Sequence, residues 1–160
     1  MAIYQAGLTK NPQSEKLFMA YLGVCRLVWD SEKIAALWSR VLESQGTPRA
    51  PQMTVDMWRE YLHFSMVGLD AFSMDKVRQA YGRAIEMLSQ SRERFPAISF
   101  VDSERLLVEA FYKLCCIEAK AGFVERAVAM IQAMCEYNFY APKECSQDKL
   151  KAEFVRWSCF

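Results

Sequence analysis

The chain has 160 residues, of which 52% are hydrophobic and 13% aromatic, enough for one domain with a sizeable core. A formal net charge of +1 excludes the strong overall field typical of proteins that bind nucleic acid or acidic membrane surfaces. Six glycines, five prolines and the lack of alternating Val and Ile runs favour helices over strands. We therefore expect a single all-α domain over residues 1–160.

The cysteine and histidine content argues against a metal site. The six cysteines form no Cys-x-x-Cys pair, and His63 is the only imidazole. Free cysteines behave as small hydrophobic groups, so we expect reduced core thiols and an intracellular compartment. The first residues lack the basic start and apolar core of a signal peptide, and no stretch reaches the roughly 18 apolar residues of a membrane span.

The first third of the chain predicts three helical segments. Residues 2–8, followed by Asn11-Pro12, are typical of the end of a helix, so we expect the chain to begin inside a repeat. Ser14 is a predicted N-cap of a helix to about Trp29, and Asp30 or Ser31 caps the next one, which Gly46 and Pro48 end. The apolar stripes of these two helices are Phe18, Tyr21, Leu22, Cys25, Val28 and Trp29, then Ile34, Leu37, Trp38, Val41 and Leu42. Their short connection predicts an antiparallel pair.

A linker over 47–53 leads to a second predicted pair. Thr54 caps the first helix, the turn 68–70 ends it, and Ser73 caps the second. The predicted inward residues are Trp58, Tyr61, Leu62 and Ser65, then Val77, Ala80, Tyr81, Ala84, Ile85 and Leu88.

The last third predicts a longer connection and three more helices. We expect residues 92–103, broken by Pro96, to tuck Ile98, Phe100 and Val101 against the fold. One helix is predicted from Asp102 or Ser103 to about Lys120, and its apolar stripe is Leu107, Ala110, Phe111, Leu114 and Ile117. Its partner follows the turn Ala121-Gly122 and ends near Tyr140-Ala141-Pro142. The apolar stripe of this second helix is Val124, Ala127, Val128, Ile131, Met134 and Cys135. A final helix over about 147–158 places Leu150, Phe154 and Trp157 on one face, either as a cap or as the start of another repeat.

Four second-helix segments can be aligned on one position. Tyr4, Trp38, Tyr81 and Ile131 occupy it, 34, 43 and 50 residues apart. The first spacing is tetratricopeptide-like and the later ones are stretched by linkers. Each pair is apolar over too broad a face to stand alone, so stacking predicts an α-solenoid.

The run Trp58-x-x-Tyr61 followed by Val77-Arg78-x-x-Tyr81-x-Arg83-Ala84-Ile85 resembles the half-a-tetratricopeptide (HAT) repeat. That family has an aromatic-rich first helix and a second helix of the type Ala-Arg-x-x-Tyr-x-Arg-Ala-Leu. Gly82 departs from it, since glycine inside a helix costs about 1 kcal/mol. The resemblance implies antiparallel helix pairs and a scaffold in nuclear RNA processing.

A second resemblance covers nearly the whole chain. The segments Glu104–Leu107, Ala121–Val128 and Gln132–Pro142, with Trp58-x-x-Tyr61-x-x-Phe64 and Phe72-Ser73-x-x-Lys76-Val77-Arg78-x-x-Tyr81, resemble the NRDE family of nuclear RNA-silencing proteins. The resemblance implies a fragment of a long nuclear protein that acts in RNA interference, surveillance and splicing. Its implied partners are an exosome-associated RNA helicase and splicing factors. In that family the helicase-binding segment lies toward the N-terminus, outside this chain.

Several residues have both a functional and a structural interpretation. Trp58, Tyr61 and Tyr81 could stack on bases, but aromatic residues at helical spacing are far more often core. His63 lies off its helix's stripe, which predicts a surface or rim position, and neither Cys145 nor Cys159 has a second histidine to activate it.

Arginines and methionines suggest two further surfaces. Arg78, Arg83, Arg92 and Arg94 could form a phosphate-binding strip, although acidic residues interrupt it and favour a mixed solvated face. Met130 and Met134 could line an adaptable peptide groove, or simply fill the core.

These patterns together predict a non-enzymatic scaffold in nuclear RNA silencing or surveillance. No catalytic, cofactor-binding or metal-binding residue is predicted, because the chain lacks glycine-rich phosphate loops, paired catalytic carboxylates and nucleophile elbows. The alternatives are a HAT subunit of a splicing, polyadenylation or ribosome-biogenesis complex and a cytosolic tetratricopeptide-type peptide receptor. The near-zero net charge argues against direct RNA binding.

Overall fold

The computed structural model describes residues 1–45, 51, 53–67, 73–89 and 98–140. Within these ranges every secondary-structure element is a helix, which confirms the all-α class. The helices are Ala2–Lys10 (α1), Glu15–Val28 (α2), Ser31–Glu43 (α3), Val55–Val67 (α4), Met74–Ser89 (α5), Phe100–Lys120 (α6) and Val124–Cys135 (α7), with a π-helical turn over Glu136–Tyr140. No helix in these ranges is long and apolar enough to cross a membrane.

Some predictions lie outside the described residues. They are the helix end at Gly46 and Pro48, most of the 47–53 linker, the turn at 68–70, Arg92, Arg94, Pro96, Pro142, Cys145, Cys159 and the helix over 147–158.

The described residues divide into two compact units. The first contains α1–α4 with residues 98–103, and the second contains α5, α7 and α6 from residue 104. The predicted pair α4–α5 is thus divided between the two units. The solenoid and the single domain over 1–160 stay predictions.

The predicted caps position the helices of the first unit. Ser14 Oγ accepts a hydrogen bond from the Leu17 N–H at 3.4 Å, and Asp30 Oδ1 accepts one from the Lys33 N–H at 3.3 Å. Thr54 Oγ1 does the same for Met57 at 3.3 Å. Each cap satisfies one backbone donor that the first helical turn leaves without a partner.

An aromatic chain forms the centre of the first unit. Phe18 of α2 lies edge-on to Trp38 of α3, with ring centroids 5.5 Å apart, and Trp38 meets Tyr61 of α4 at 5.6 Å. Tyr61 then packs against Trp58 at 6.0 Å. Phe18 lies in the first turn of α2 and Trp38 lies beyond the middle of α3, a contact that is compatible with the predicted antiparallel pair. An Arg26–Glu60 ion pair also joins α2 to α4.

The entry to α4 is held by a side chain that the sequence did not single out. Gln45 Nε2 donates to the carbonyls of Val41 at 2.8 Å and Pro51 at 3.0 Å, and its Oε1 accepts from the Met53 N–H at 3.3 Å. The amide thus ties the end of α3 to the start of α4. Met53 and Met57, both absent from the predicted core, are fully buried beside it.

The burial predicted for α3 and α5 is confirmed in full. All five stripe residues of α3 and all six of α5 are buried, and Gly82 is buried as well. In α2 the prediction was wrong for Val28, which is exposed. The helix ends there because Trp29 adopts an extended backbone and packs edge-on against Tyr21, leaving Val28 at the surface.

The prediction for the start of α6 was wrong. The helix begins at Phe100, two or three residues early, because Ser99 Oγ accepts the Asp102 N–H at 3.1 Å. Phe100 and Val101 fall in this first turn with their side chains exposed, so they do not tuck into the core. Further along, the buried face of α6 also includes Leu106, Cys115 and Glu118, whereas Leu107 and Ile117 are only half-buried.

The prediction for α7 was also wrong in part. Only Ala127 and Met130 are buried on this helix, and Met134 is half-buried. Four predicted core residues face outward: Val124, Val128, Ile131 and Cys135. The aligned repeat position is accordingly buried at Trp38 and Tyr81, half-buried at Tyr4 and 49% exposed at Ile131.

Tyr81→Ala should lower the free energy of unfolding by about 3–5 kcal/mol, because the ring is fully buried in the second unit. Denaturant melts of the 160-residue chain measure this loss. Arg83→Ala, an exposed change two residues along the same helix, is the control and should change it by about 0.5 kcal/mol or less. Equal effects of the two substitutions would show that Tyr81 does not pack as described.

Candidate functional site

The turn between α6 and α7 is closed by backbone hydrogen bonds. The Phe123 N–H donates to the Glu118 carbonyl at 2.9 Å, and the Gly122 N–H donates to the Ala119 carbonyl at 3.2 Å. This pair of bonds is a Schellman motif, in which the first residue after the helix C-cap adopts a left-handed backbone conformation. Gly122 supplies it with φ of 93°, so the predicted Ala121-Gly122 turn is confirmed with its physical reason.

The side chain of Glu118, at the same turn, is completely buried. Its Oε1 accepts from Arg78 Nε at 2.7 Å, and its Oε2 accepts from Arg78 Nη2 at 2.9 Å. This two-pronged pair joins the start of α5 to the end of α6. Charge-assisted bidentate contacts of this kind are stronger and more directional than neutral hydrogen bonds.

Two further groups surround the pair. Arg126 of α7 places Nε 3.3 Å from Glu118 Oε1, and Arg78 donates through Nη1 to Asp75 at 3.2 Å. The Arg78 guanidinium also lies 4.7 Å from the centre of the Phe123 ring, a cation–π distance. We call Asp75, Arg78, Glu118, Phe123 and Arg126 the Glu118 cluster.

The electrostatics of the Glu118 cluster are balanced. Two guanidinium groups face two carboxylates, so a buried charge is not left without a counter-charge. The hydrogen bond to Glu118 is the main cause that raises the pKa of Arg78 above its ordinary value, which keeps this side chain charged.

This geometry suits positioning rather than catalysis. Both oxygens of Glu118 are engaged by Arg78 and the carboxylate has no exposed surface, so it has no room to take a proton from a substrate or to bind a metal. Over the ranges that the structure describes, no group of three or more His, Cys, Asp or Glu side chains is arranged to hold a metal ion. The cluster instead fixes three helices to one turn.

The aromatic candidates are core residues. Trp58 and Tyr81 are fully buried and cannot stack on a base, and Tyr61 packs between Trp38 and Trp58. Burial raises the pKa of Tyr81 to about 12, helped by the nearby charge of Glu109. His63 is exposed, as its position off the stripe predicted.

The remaining candidates do not form a site. Arg78 is engaged in the Glu118 cluster, while Arg83 is exposed. Met130 is buried and Met134 half-buried, which fits core filling better than a groove. Of the cysteines in the described ranges, Cys25 and Cys115 are buried free thiols, Cys116 is half-buried and Cys135 is exposed.

Sequence reasoning missed Glu118, although a signal was present. Leu106, Ala110 and Leu114 are spaced four residues apart on the buried face of α6, and Glu118 is the next member of that series. A carboxylate in an apolar series needs a cationic partner. Two such cationic partners were visible in the sequence, namely Arg126, eight residues after Glu118, and Arg78 of the HAT-like motif.

The outward side of α6 has a different character. Val108 is 57% and Tyr112 66% exposed, and the exposed Arg105 lies one turn before them on the same side. We call Arg105, Val108 and Tyr112 the α6 face. The Lys113–Glu109 ion pair, 2.9 Å long, lies on the same helix. Adjacent apolar groups beside charges are typical of the aromatic centre and polar rim of a protein interface.

Comparison with known proteins matches nearly the whole chain. The family model described as "NRDE-2, necessary for RNA interference" matches residues 1–158. A protein of Dictyostelium discoideum named "Nuclear exosome regulator NRDE2" is 26% identical over 155 residues, covering 92% of this chain and 12% of that protein. Proteins of the same name are 25% identical in Mus musculus, over 96% of this chain, and in Homo sapiens, over 89%.

The chain spans only 12–13% of the length of these relatives. No solved structure matches it.

Glu118→Ala should lower the free energy of unfolding by about 3 kcal/mol, since it leaves two partly buried guanidinium groups without their carboxylate. Denaturant melts measure the loss, and Glu104→Ala at an exposed position of α6 is the matched control.

In double-mutant cycles the coupling energy between Glu118 and Arg78 should exceed that between Glu118 and Arg126, because Arg78 makes the two shorter contacts. Equal couplings would contradict this geometry.

Tyr81 should also make folding sensitive to alkaline pH. Its pKa is raised from 10.0 to about 12 in the folded chain, so the native state holds the phenol proton more tightly than the unfolded state. Its contribution to stability is complete below about pH 10 and is lost as the pH rises toward about 12. Ultraviolet titration of tyrosinate should show one late component that Tyr81→Phe and denaturant both remove. A late component that persists in Tyr81→Phe would refute the assignment.

Proposed function

The chain belongs to the family described as NRDE-2, necessary for RNA interference, and from that premise we propose that it is a non-enzymatic protein-binding scaffold of nuclear RNA processing. The relatives are named nuclear exosome regulators, which supports a nuclear location and partners among exosome-associated and other RNA-processing proteins. Its predicted HAT-like solenoid would present helix faces to them.

The α6 face is the observation on which this proposal rests. Val108 and Tyr112 expose more than half of their side chains at adjacent helical positions. Tyrosine is enriched at the energetic centres of protein interfaces, and neighbouring charged groups supply a rim that excludes water. We infer that a helix or loop of a protein partner covers Tyr112.

A protein partner fits the described residues better than RNA does. Non-specific RNA binding needs clustered cations and accessible aromatic rings. Tyr112 leaves an aromatic ring exposed, but the cations Arg78 and Arg126 are in contact with Glu118, and the net charge of the chain is only +1.

The burial of charged side chains in contact with one another also supports a non-enzymatic role. Catalysis needs convergent titratable groups that are open to a substrate. Glu118 is enclosed by Arg78 and Arg126, and the only histidine, His63, lies exposed outside that cluster.

The double variant Val108→Glu with Tyr112→Glu should reduce partner recovery several-fold in affinity purification from nuclear extract, because a hot-spot tyrosine typically contributes about 2 kcal/mol or more. Leu27→Glu is the matched control, since Leu27 is an exposed apolar side chain of the first unit. Circular dichroism of each variant verifies that the helices are retained.

Each purification is run with and without nuclease and at increasing salt. The proposal expects RNA-processing proteins in both nuclease arms. Recovery that nuclease abolishes, or that falls steeply with salt in proportion to added cation, would indicate RNA binding instead. Recovery of cytosolic chaperones alone, or equal losses with Leu27→Glu, would overturn the proposal.

A further inference from the structure

The α6 face carries one cation in line with two apolar side chains. Arg105, Val108 and Tyr112 follow one another at intervals of three and four residues, so they lie along one side of the helix. Arg105 is exposed, and within the ranges that the structure describes its guanidinium has no ion pair. Lys113, by contrast, is paired with Glu109. The α6 face therefore combines apolar surface with a positive charge that lacks a counter-charge.

The aromatic ring of this face is restrained before any partner arrives. Tyr112 is hydrogen-bonded to the side chain of Cys116, one turn further along α6. Cys116 is half-buried, so the contact ties the phenol to the surface of the helix. A side chain that is already oriented loses less conformational entropy when a partner covers it. The α6 face is thus partly preorganised for binding.

We propose that the α6 face binds a helix of the protein partner, and that a carboxylate of this helix pairs with Arg105. Apolar side chains of the same helix cover Val108 and Tyr112. This inference rests on the proposed function, since it specifies the chemistry of the partner at the same face.

The shape of the α6 face selects a helix. A chain that covers apolar groups must satisfy its own backbone N–H and C=O groups. Strand addition needs an open sheet edge, whereas every secondary-structure element among the described residues is a helix. A helix satisfies its backbone groups internally, and its side chains pack along a row with intervals of three and four residues.

The charge of Arg105 selects a carboxylate. A guanidinium that a partner covers loses its water, which costs free energy unless a counter-charge replaces that water. The carboxylate of Asp or Glu fits the planar guanidinium and accepts two hydrogen bonds from it. Glu118 already binds Arg78 in this way within the second unit. One uncompensated cation on the α6 face therefore favours one carboxylate on the partner.

A phosphate of RNA is the competing anion. A nucleic-acid strand is charged at every nucleotide and needs several unpaired cations along its path. On α6 the acidic Glu104 is exposed next to Arg105, and Lys113 is neutralised by Glu109. Lys120 lies about four turns further along the helix. This balance suits a single carboxylate of a protein better than a row of phosphates.

Arg105→Met separates the contribution of charge from that of apolar contact, because it keeps a long side chain and removes the cation. In affinity purification from nuclear extract it should lower partner recovery about tenfold or more, since the carboxylate of the partner is left without a counter-charge. Arg105→Lys keeps the charge and should retain most of the recovery. Arg83→Met, at an exposed position of α5, is the matched control and should leave recovery unchanged.

A zero-length cross-link identifies the anion directly. A water-soluble carbodiimide joins an amine to a carboxylate in contact with it, forming an amide with loss of water, whereas a guanidinium does not react in this way. The new amine of Arg105→Lys should link to the partner, and peptide mass spectrometry should place the link on an aspartate or a glutamate. Arg83→Lys should give no link to the partner at position 83. Adding Val108→Glu with Tyr112→Glu should abolish the link at position 105.

The outcomes separate this inference from the proposed function. Unchanged recovery with Arg105→Met, or no link from Arg105→Lys while the partner is retained, would overturn the carboxylate pairing. The proposed function would still stand if Val108→Glu with Tyr112→Glu lowered recovery in that case, and both would fail if it did not. Recovery that depends on Arg105 and is abolished by nuclease would assign the counter-charge to a phosphate of RNA, which also overturns the inference.

Discussion

The packing of the second unit depends on one enclosed carboxylate. Glu118 has no exposed surface, and a charge in that position is tolerated only with a counter-charge at contact distance. Arg78 satisfies both of its oxygens from the start of α5, and Arg126 approaches from the start of α7. Because the Glu118 carbonyl also accepts the Phe123 N–H, one residue fixes both the turn and the helices around it. Removing one partner of such a buried pair costs much more stability than the intact pair contributes, because the other charge is left buried without compensation.

The distribution of polar and apolar groups in the second unit supports the proposed scaffold role. The charged groups of Arg78, Arg126 and Glu118 contact one another, so they are not available to a substrate or to phosphates. Exposed apolar side chains of this unit lie on the α6 face, at Val108 and Tyr112.

Helix positions and most of the core follow from local sequence. Ser14, Asp30 and Thr54 are caps with a direct chemical reason, and the stripes of α3 and α5 are buried throughout. Periodicity does not reveal how far a neighbour covers a stripe, so Val28 and Ile131 were wrongly assigned to the core.

The Glu118 cluster was beyond local patterns for a related reason. Arg78 and Glu118 are 40 residues apart, and their pairing depends on how α5 meets α6. Sequence does mark the turn, since Gly122 is required at φ of 93°, and the family resemblance included the Ala121–Val128 segment. The sequence does not indicate which carboxylate pairs with Arg78 and Arg126. A charged residue at an apolar position of a helix is the clue that would have identified it.

The most direct test of this account is amide hydrogen exchange at the α6–α7 turn in the unmodified chain and in Glu118→Gln. Neutralising the carboxylate should weaken its hold on Arg78 and Arg126 and raise exchange at the Gly122 and Phe123 amides, with little change in α3. Such a localised increase is the predicted result. Exchange at the turn that stays unchanged, or that rises equally in α3, would show that the Glu118 cluster does not organise the second unit.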